Sequence, residues 1–225
     1  MAREALCFDM YGTLCDTTSV TDRLGAVLGV TADLVEAVDR LWRRKQLQYS
    51  YHRGQMEAYE PFWTVTGDAL EYALEFYELE VDAADRERIL GAYNHLEPVA
   101  GAESALETLS AAGRTCVVLS NGNPEMLETL AANAGLAPYL EDVVSADEVG
   151  TFKPSPAVYE NAADRLDRPL SDCRLVSSNA WDVAGASNAG MATAWVNRRN
   201  EPRERLGERA DVEVETIAAL PGALG

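Results

Sequence analysis

Five stretches of this chain carry side chains that could do chemistry together. Asp9 follows a short apolar run, 5–8. Its carboxylate, with an ordinary pKa of about 3.9, is ionised at neutral pH and is a usable nucleophile once held in place. Position alone equally describes an aspartate that steadies the turn after a strand. In Ser120-Asn121-Gly122-Asn123-Pro124, Asn123 suits a helix N-cap and Pro124 the first helical position. Free N–H groups there favour an anion such as a substrate carboxylate. Lys153 sits in Thr151-Phe152-Lys153-Pro154-Ser155-Pro156, where Ser155 and Pro156 repeat that cap pattern. Lysine is otherwise represented only by Lys45, so one beside a strand end stands out. Its ammonium could orient Asp9 and bind a carboxylate. In Ser177-Ser178-Asn179-Ala180-Trp181-Asp182, the acid suits the first turn of a helix and, with Asn179, imitates a capping box. Asp182 could instead anchor Lys153 or position a water. Arg43 and Arg44 read either as a solvated helix face paired with Glu36 or Asp39, or as a cation that stabilises a departing anion.

These residues need a scaffold, and the apolar periodicity supplies one. Strands are expected at 5–8, 115–119, 142–144, 174–176 and 193–196, with helices at 104–112, 125–134, 156–166 and 180–189 between them. Thr31 is an expected N-cap, helical stretches run over about 56–77 and 82–95, and Gly113 is the expected cap of helix 104–112. The alternation specifies an α/β fold with a Rossmann-like parallel sheet flanked by helices. The helical interval after the first strand is too long for a simple crossover. It predicts an inserted helical cap domain over 17–97, with the core formed by 1–16 and 98–225. Ligands bind beyond the C-terminal ends of such strands, where Asp9, Ser120–Asn123, Lys153 and Ser177–Asp182 are expected to converge.

Bulk composition narrows the partners. Of 225 residues, 47% are hydrophobic, enough for a substantial core, and the formal net charge is −18. That charge repels nucleic acid and anionic membranes. It fits either a high-salt setting, where repulsion is screened, or an ordinary acidic protein. The beginning of the chain is too short in apolar residues and too acidic for a signal peptide, and a cytoplasmic location is expected. Cys7, Cys15, Cys116 and Cys173 form no CxxC pair, and His52 and His95 lie far from them, so buried thiols are expected rather than a zinc site. There is no GxxxxGK[ST] loop. Gly185-Ala186-Ser187-Asn188-Ala189 faintly resembles a nucleophile elbow but falls within an expected helix.

Phe8-Asp9-Met10-Tyr11-Gly12-Thr13-Leu14 resembles the first motif of the haloacid dehalogenase superfamily. Ser120-Asn121-Gly122, Lys153-Pro154 and Ser177 through Asp182 resemble its second, third and fourth, in order and across nearly the whole chain. Each motif is weak alone; together they are specific. Phosphatases of this superfamily place an acid two residues after the nucleophile to protonate a leaving alcohol. Tyr11 stands there instead, similar to the L-2-haloacid dehalogenases, whose leaving halide needs no proton. The fourth motif and the segment around Trp42-Arg43 are similar to theirs as well.

The resemblance implies that Asp9 displaces halide from C2 of a 2-haloalkanoate, and that water then hydrolyses the aspartyl ester to a 2-hydroxy acid. It places the halide with Arg43 and Asn121, and the substrate carboxylate with Ser120 and Lys153. Tyr11, Leu47, Phe62 and Trp181 would form an apolar pocket, with Tyr159 also contacting substrate. Thr13, Ser177, Asn179 and Asp182 would steady Asp9 and Lys153 and position the water. No metal or organic cofactor is implied, and a homodimer is. Arg44 departs from the pattern, standing where a neutral polar residue is expected. A phosphatase on the same scaffold, or a non-catalytic binder of small anions, is the competing reading.

Overall fold

Six parallel strands, rather than the expected five, form the sheet in a computed structural model that describes residues 4–225. In chain order the elements are β1 (Ala5–Phe8), α1 (Thr18–Leu28), α2 (Ala32–Gln55), α3 (Phe62–Phe76), α4 (Ala83–Leu90) and α5 (Ala102–Ala111). There follow β2 (Cys116–Ser120), α6 (Pro124–Asn133), β3 (Asp142–Ser145), α7 (Pro156–Arg165), β4 (Cys173–Ser177), α8 (Ala180–Ala189), β5 (Ala192–Val196), β6 (Val212–Val214) and α9 (Leu220–Leu224). The additional strand, β6, pairs with β5 at the sheet edge.

Strand order is β3-β2-β1-β4-β5-β6. β1 is therefore central, and the chain runs to opposite sides of it for β2 and β4. This reversal opens a crevice at the C-terminal end of β1. Asp9 is the residue that emerges there. The four residues of β1 are buried on both faces, as a central parallel strand must be. Leu6 and Phe8 join one hydrophobic layer with Val118 and Val176, while Ala5 and Cys7 join the other with Val117 and Leu175. The period-two alternation thus feeds two cores.

Helices α1 to α4 lie between β1 and β2. At 24 residues, α2 spans roughly 36 Å and packs along α3. The expected helix over 56–77 begins only at Phe62, because α2 runs to Gln55, Glu57 turns left-handed (φ 54°) and Pro61 caps the next helix. The chain leaves the sheet and returns to it side by side: Asp16 N donates to Glu97 O at 2.8 Å and Val99 N to Leu14 O at 2.8 Å. A second tie lies across the site, where Asn123 Oδ1 accepts from Trp63 N at 2.9 Å, while Asn123 Nδ2 and the Tyr59 hydroxyl both donate to Asp147. Asn123 therefore stands at the start of α6 without capping it. Ser155 and Thr31 likewise precede helices without a side-chain cap.

All four cysteines are buried free thiols, as expected. No helix among the described residues is long and apolar enough to cross a membrane. The stretch resembling a nucleophile elbow lies within α8. Its glycine has a packing role: a Cβ at Gly185 would meet Pro154 Cβ at 2.4 Å and the Tyr159 hydroxyl at 2.6 Å. Gly185→Ala is expected to destabilise the fold by about 1–3 kcal/mol, the range for overpacking a tight contact. Urea denaturation read by tryptophan fluorescence checks this.

Candidate active site

Asp9 is almost fully buried, and its two carboxylate oxygens meet different surroundings. Oδ2 accepts from Asn179 Nδ2 at 2.8 Å and Thr13 Oγ1 at 3.1 Å. Oδ1 faces Lys153 Nζ at 3.5 Å. Lys153 makes its shorter bond elsewhere, to Asp182 Oδ2 at 2.8 Å. The other Asp182 oxygen accepts from the Tyr159 hydroxyl at 2.8 Å. One ammonium thus serves two carboxylates, and the less saturated oxygen of the set is Asp9 Oδ1.

Local structure explains each placement. The backbone after Asp9 curls so that the Leu14 and Cys15 amides both donate to Met10 O, with Gly12 at φ 81° completing the turn. Thr13 is thereby brought back to Asp9, and its hydroxyl also accepts from Ser178 N at 2.9 Å. Asn121 Oδ1 accepts from Lys153 N at 2.8 Å and fixes the loop after β3 against the end of β2. Ser177 Oγ accepts from Asn179 N at 3.1 Å, holding the first turn of α8. The capping box imitated by Asn179 and Asp182 does not form, since both side chains are committed to Asp9 and Lys153.

The electrostatics follow from burial. Desolvation lifts the Asp9 pKa; Lys153 opposes this, Asp182 reinforces it, the bonds from Thr13 and Asn179 oppose it, and the balance stays upward. For Lys153, burial favours the neutral amine, but Asp182 and Asp9 outweigh it and hold the pKa above the ordinary lysine value. Among the described residues, no group of three or more His, Cys, Asp or Glu side chains is arranged to hold a metal ion.

A cavity of about 310 Å³ opens over Asp9. Tyr11, Ser120, Asn121, Lys153, Asn179 and Trp181 line it from the strand ends, and Arg43, Leu47 and Phe62 from the helices. The hydroxyls of Tyr11 and Ser120 are buried without a protein partner. Thr13, Ser177 and Asp182 do not line the cavity and act from behind Asp9, Asn179 and Lys153. Tyr159 corrects an expectation: it is fully buried behind Asp182 and touches no part of the cavity, because the phase of α7 aims its hydroxyl at that carboxylate.

Arg43 makes the expected pair with Asp39 but is half-buried rather than solvated, and it lines the cavity. Nε donates to both Asp39 oxygens at 3.0 Å, Nη2 to Thr17 O at 3.0 Å and Nη1 to the Tyr93 hydroxyl at 3.4 Å, while the guanidinium faces the cavity. Glu36 pairs with Arg40 instead. Arg44 is exposed and turned away, so its departure from the family pattern does not reach the site. Gln46, Tyr93, Arg198, Arg199, Glu201 and Glu204 also line the cavity; of these only Gln46, in Lys45-Gln46-Leu47, falls in a segment that resembles the family, and none is expected at the site from sequence. Arg198 and Arg199 follow β5, and Arg198 donates to Gly12 O in the nucleophile loop. The strand-end rule extended to β5 identifies them; no sequence signal marks Tyr93.

A family model described as haloacid dehalogenase-like hydrolase matches residues 4–190. The chain belongs to that family. Within the haloacid dehalogenase-like hydrolases it is 39% identical to (S)-2-haloacid dehalogenase 1 of Pseudomonas sp. (strain CBS-3), over 98% of this chain and 96% of the relative. It is 40% identical to (S)-2-haloacid dehalogenase 4A of Burkholderia cepacia, over 89% of this chain and 85% of the relative. The solved L-2-haloacid dehalogenase of Xanthobacter autotrophicus with chloropropionic acid covalently bound superposes with a TM-score of 0.87 at 34% identity, covering 98% of each chain.

Two substitutions test the charge arrangement. Lys153→Ala leaves two buried carboxylates without a counter-ion and is expected to cost about 3–5 kcal/mol in denaturant unfolding. Asp9→Asn is expected to act oppositely. Because the folded-state pKa of Asp9 is raised, the folded chain takes up that proton more readily than the unfolded chain. The ionised carboxylate therefore subtracts from stability at neutral pH, and the penalty fades as pH falls through the raised value. Asp9→Asn should melt at a higher temperature than the native chain at pH 7, with the difference shrinking on acidification in a calorimetric series.

Proposed function

We propose that this chain hydrolyses L-2-haloalkanoic acids to 2-hydroxy acids and halide through an ester on Asp9. The observation that carries the reading is the buried Asp9 in the wall of a cavity, its Oδ1 meeting only a long contact from Lys153, and Tyr11 rather than a second acid beside it. A phosphate ester needs a proton donor for its alkoxide, whereas a carbon–halogen bond can break without one. The covalently bound chloropropionic acid in the Xanthobacter structure is consistent with an ester route.

In this reading residues 17–97 form the cap that closes the site over the core, and the two sides divide the work. Oδ2 of Asp9 is held by Asn179 and Thr13, so Oδ1 is the attacking atom. It forms a bond to C2 from the face opposite the halogen, the C–X pair leaves with the halide, and the configuration inverts. Arg43 and the Asn121 amide stabilise the departing anion. Ser120, whose hydroxyl has no protein partner, and Lys153 hold the substrate carboxylate. Removal of water by Tyr11, Leu47, Phe62 and Trp181 leaves the Asp9 oxygen poorly solvated and reactive. Water then adds to the Asp9 carbonyl carbon. The donors already around Asp9 stabilise the oxyanion, one water proton ends on the alcohol, and the other is released as the carboxylate re-forms. Asp182 and Tyr159 keep Lys153 in position throughout.

The decisive experiment is bromide release from each enantiomer of 2-bromopropionate in the presence of EDTA. Release from the L form alone is expected, with loss in Asp9→Asn of at least about a thousandfold, as for removal of a covalent nucleophile. A folded protein that releases no bromide but liberates phosphate from small esters with magnesium would overturn the proposal.

A further inference from the structure

The hydrogen bonds leading to Tyr93 run in one direction and leave one proton unassigned. Thr66 Oγ1 donates to Phe62 O at 2.7 Å, which spends its only proton. The 2.7 Å contact between Thr66 Oγ1 and the Gln46 amide must then be donated by Gln46. This fixes the amide with Nε2 toward Thr66, and the same nitrogen lies 3.5 Å from the Tyr93 hydroxyl. Arg43 Nη1 approaches that hydroxyl at 3.4 Å and can only donate. Tyr93 oxygen thus receives two long donated bonds and makes no bond of its own among the described residues. Tyr11 and Trp42 enclose the ring edge-on at centroid distances of 5.6 and 5.7 Å, so the phenol cannot swing away to find an acceptor. Burial raises its pKa, with Arg43 opposing, and the proton stays in place at neutral pH. The hydroxyl lies beside Arg43 in the cavity wall, and an anion held by that guanidinium is the acceptor within reach.

We infer that Tyr93 donates its proton in a hydrogen bond to the departing halide, as a third donor beside Arg43 and Asn121. The inference rests on the dehalogenase reading. It makes Tyr93 a catalytic and halogen-selecting residue, since the hydrogen bond strengthens as charge builds on the leaving atom. A donor to a developing anion contributes about tenfold or more in rate. Hydrogen-bond acceptance by halide ions weakens from chloride to bromide to iodide as the charge spreads over a larger ion. The contribution must fall in the same order.

The test is Tyr93→Phe, which keeps the ring and removes the hydroxyl. Halide release is followed in a single turnover with enzyme in excess over L-2-chloro-, L-2-bromo- and L-2-iodopropionate, in a sulfate buffer. The expected result is a loss of about tenfold with the chloro substrate, smaller with bromo and slight with iodo. The variant should also be inhibited less by added chloride and unchanged in its inhibition by lactate, which probes the carboxylate site. An equal loss across the three halogens, no loss, or weakened lactate inhibition with chloride inhibition intact would each overturn the inference while leaving the dehalogenase reading standing. Absence of halide release from the native protein would overturn both.

Discussion

The buried ammonium of Lys153 is the interaction on which the site is built. It sits between Asp9 and Asp182, each within 3.5 Å, with all three side chains nearly or completely out of solvent. Burying such charges costs several kcal/mol per ion unless geometry and further hydrogen bonds compensate. Here the further hydrogen bonds come from Thr13 after β1 and Asn179 after β4, both to Asp9, and from Tyr159 on α7 to Asp182, while Asn121 after β2 fixes the Lys153 backbone. The asymmetry of the arrangement matters as much as its existence. Lys153 bonds Asp182 more closely than Asp9, so one Asp9 oxygen is left with a single long contact.

The same logic resolves an apparent conflict between the whole molecule and its site. A chain with net charge −18 repels small carboxylates at a distance. Near the cavity the balance is local: Arg43, Lys153, Arg198 and Arg199 are in its wall, against Asp9, Glu201 and Glu204. Screening damps the repulsion beyond about 10 Å at ordinary ionic strength, while the buried Lys153 and the half-buried Arg43 keep their effect; Arg198 and Arg199 are exposed. The attraction that an anion meets is therefore confined to the immediate neighbourhood of Arg43 and Lys153.

Much of this was legible in the sequence because strand ends carry the chemistry and apolar periodicity locates strand ends. The runs at 5–8 and 180–189 coincide with β1 and α8, and the other strand and core-helix boundaries shift by a residue or two, but the helix expected over 82–95 stops at Leu90, where Gly91–Asn94 tightens into a 3-10 turn. What escaped did so for identifiable reasons. β6 has only three residues, embedded in an acidic stretch, and exists by pairing with β5. Residues 56–61 keep a helical composition, but a left-handed Glu57 breaks the run. Arg44 and Gln46 show the limit of reading neighbours: on one helix, Arg43, Gln46 and Leu47 share a face at spacings of three and four, and Arg44 lies off it. Tyr159 follows the Lys153 motif closely, yet its direction is set by the rotation of α7, which spacing does not convey. Tyr93 is visible only through a chain of donors that passes through three other side chains.

The cavity draws its walls from two sources. Asp9, Ser120, Asn121, Lys153 and Asn179 stand on the ends of a sheet whose strands are buried on both sides, whereas Arg43, Gln46, Leu47, Phe62 and Tyr93 come from the helical excursion between β1 and β2. The attacking oxygen and the surface that selects what it attacks are therefore carried by separate stretches of chain. Mutational drift in the helices can resize or recolour the chamber without displacing the nucleophile. Drift at Asn121, Lys153 and Asn179 has no such freedom, since each of these also holds the buried charges in place.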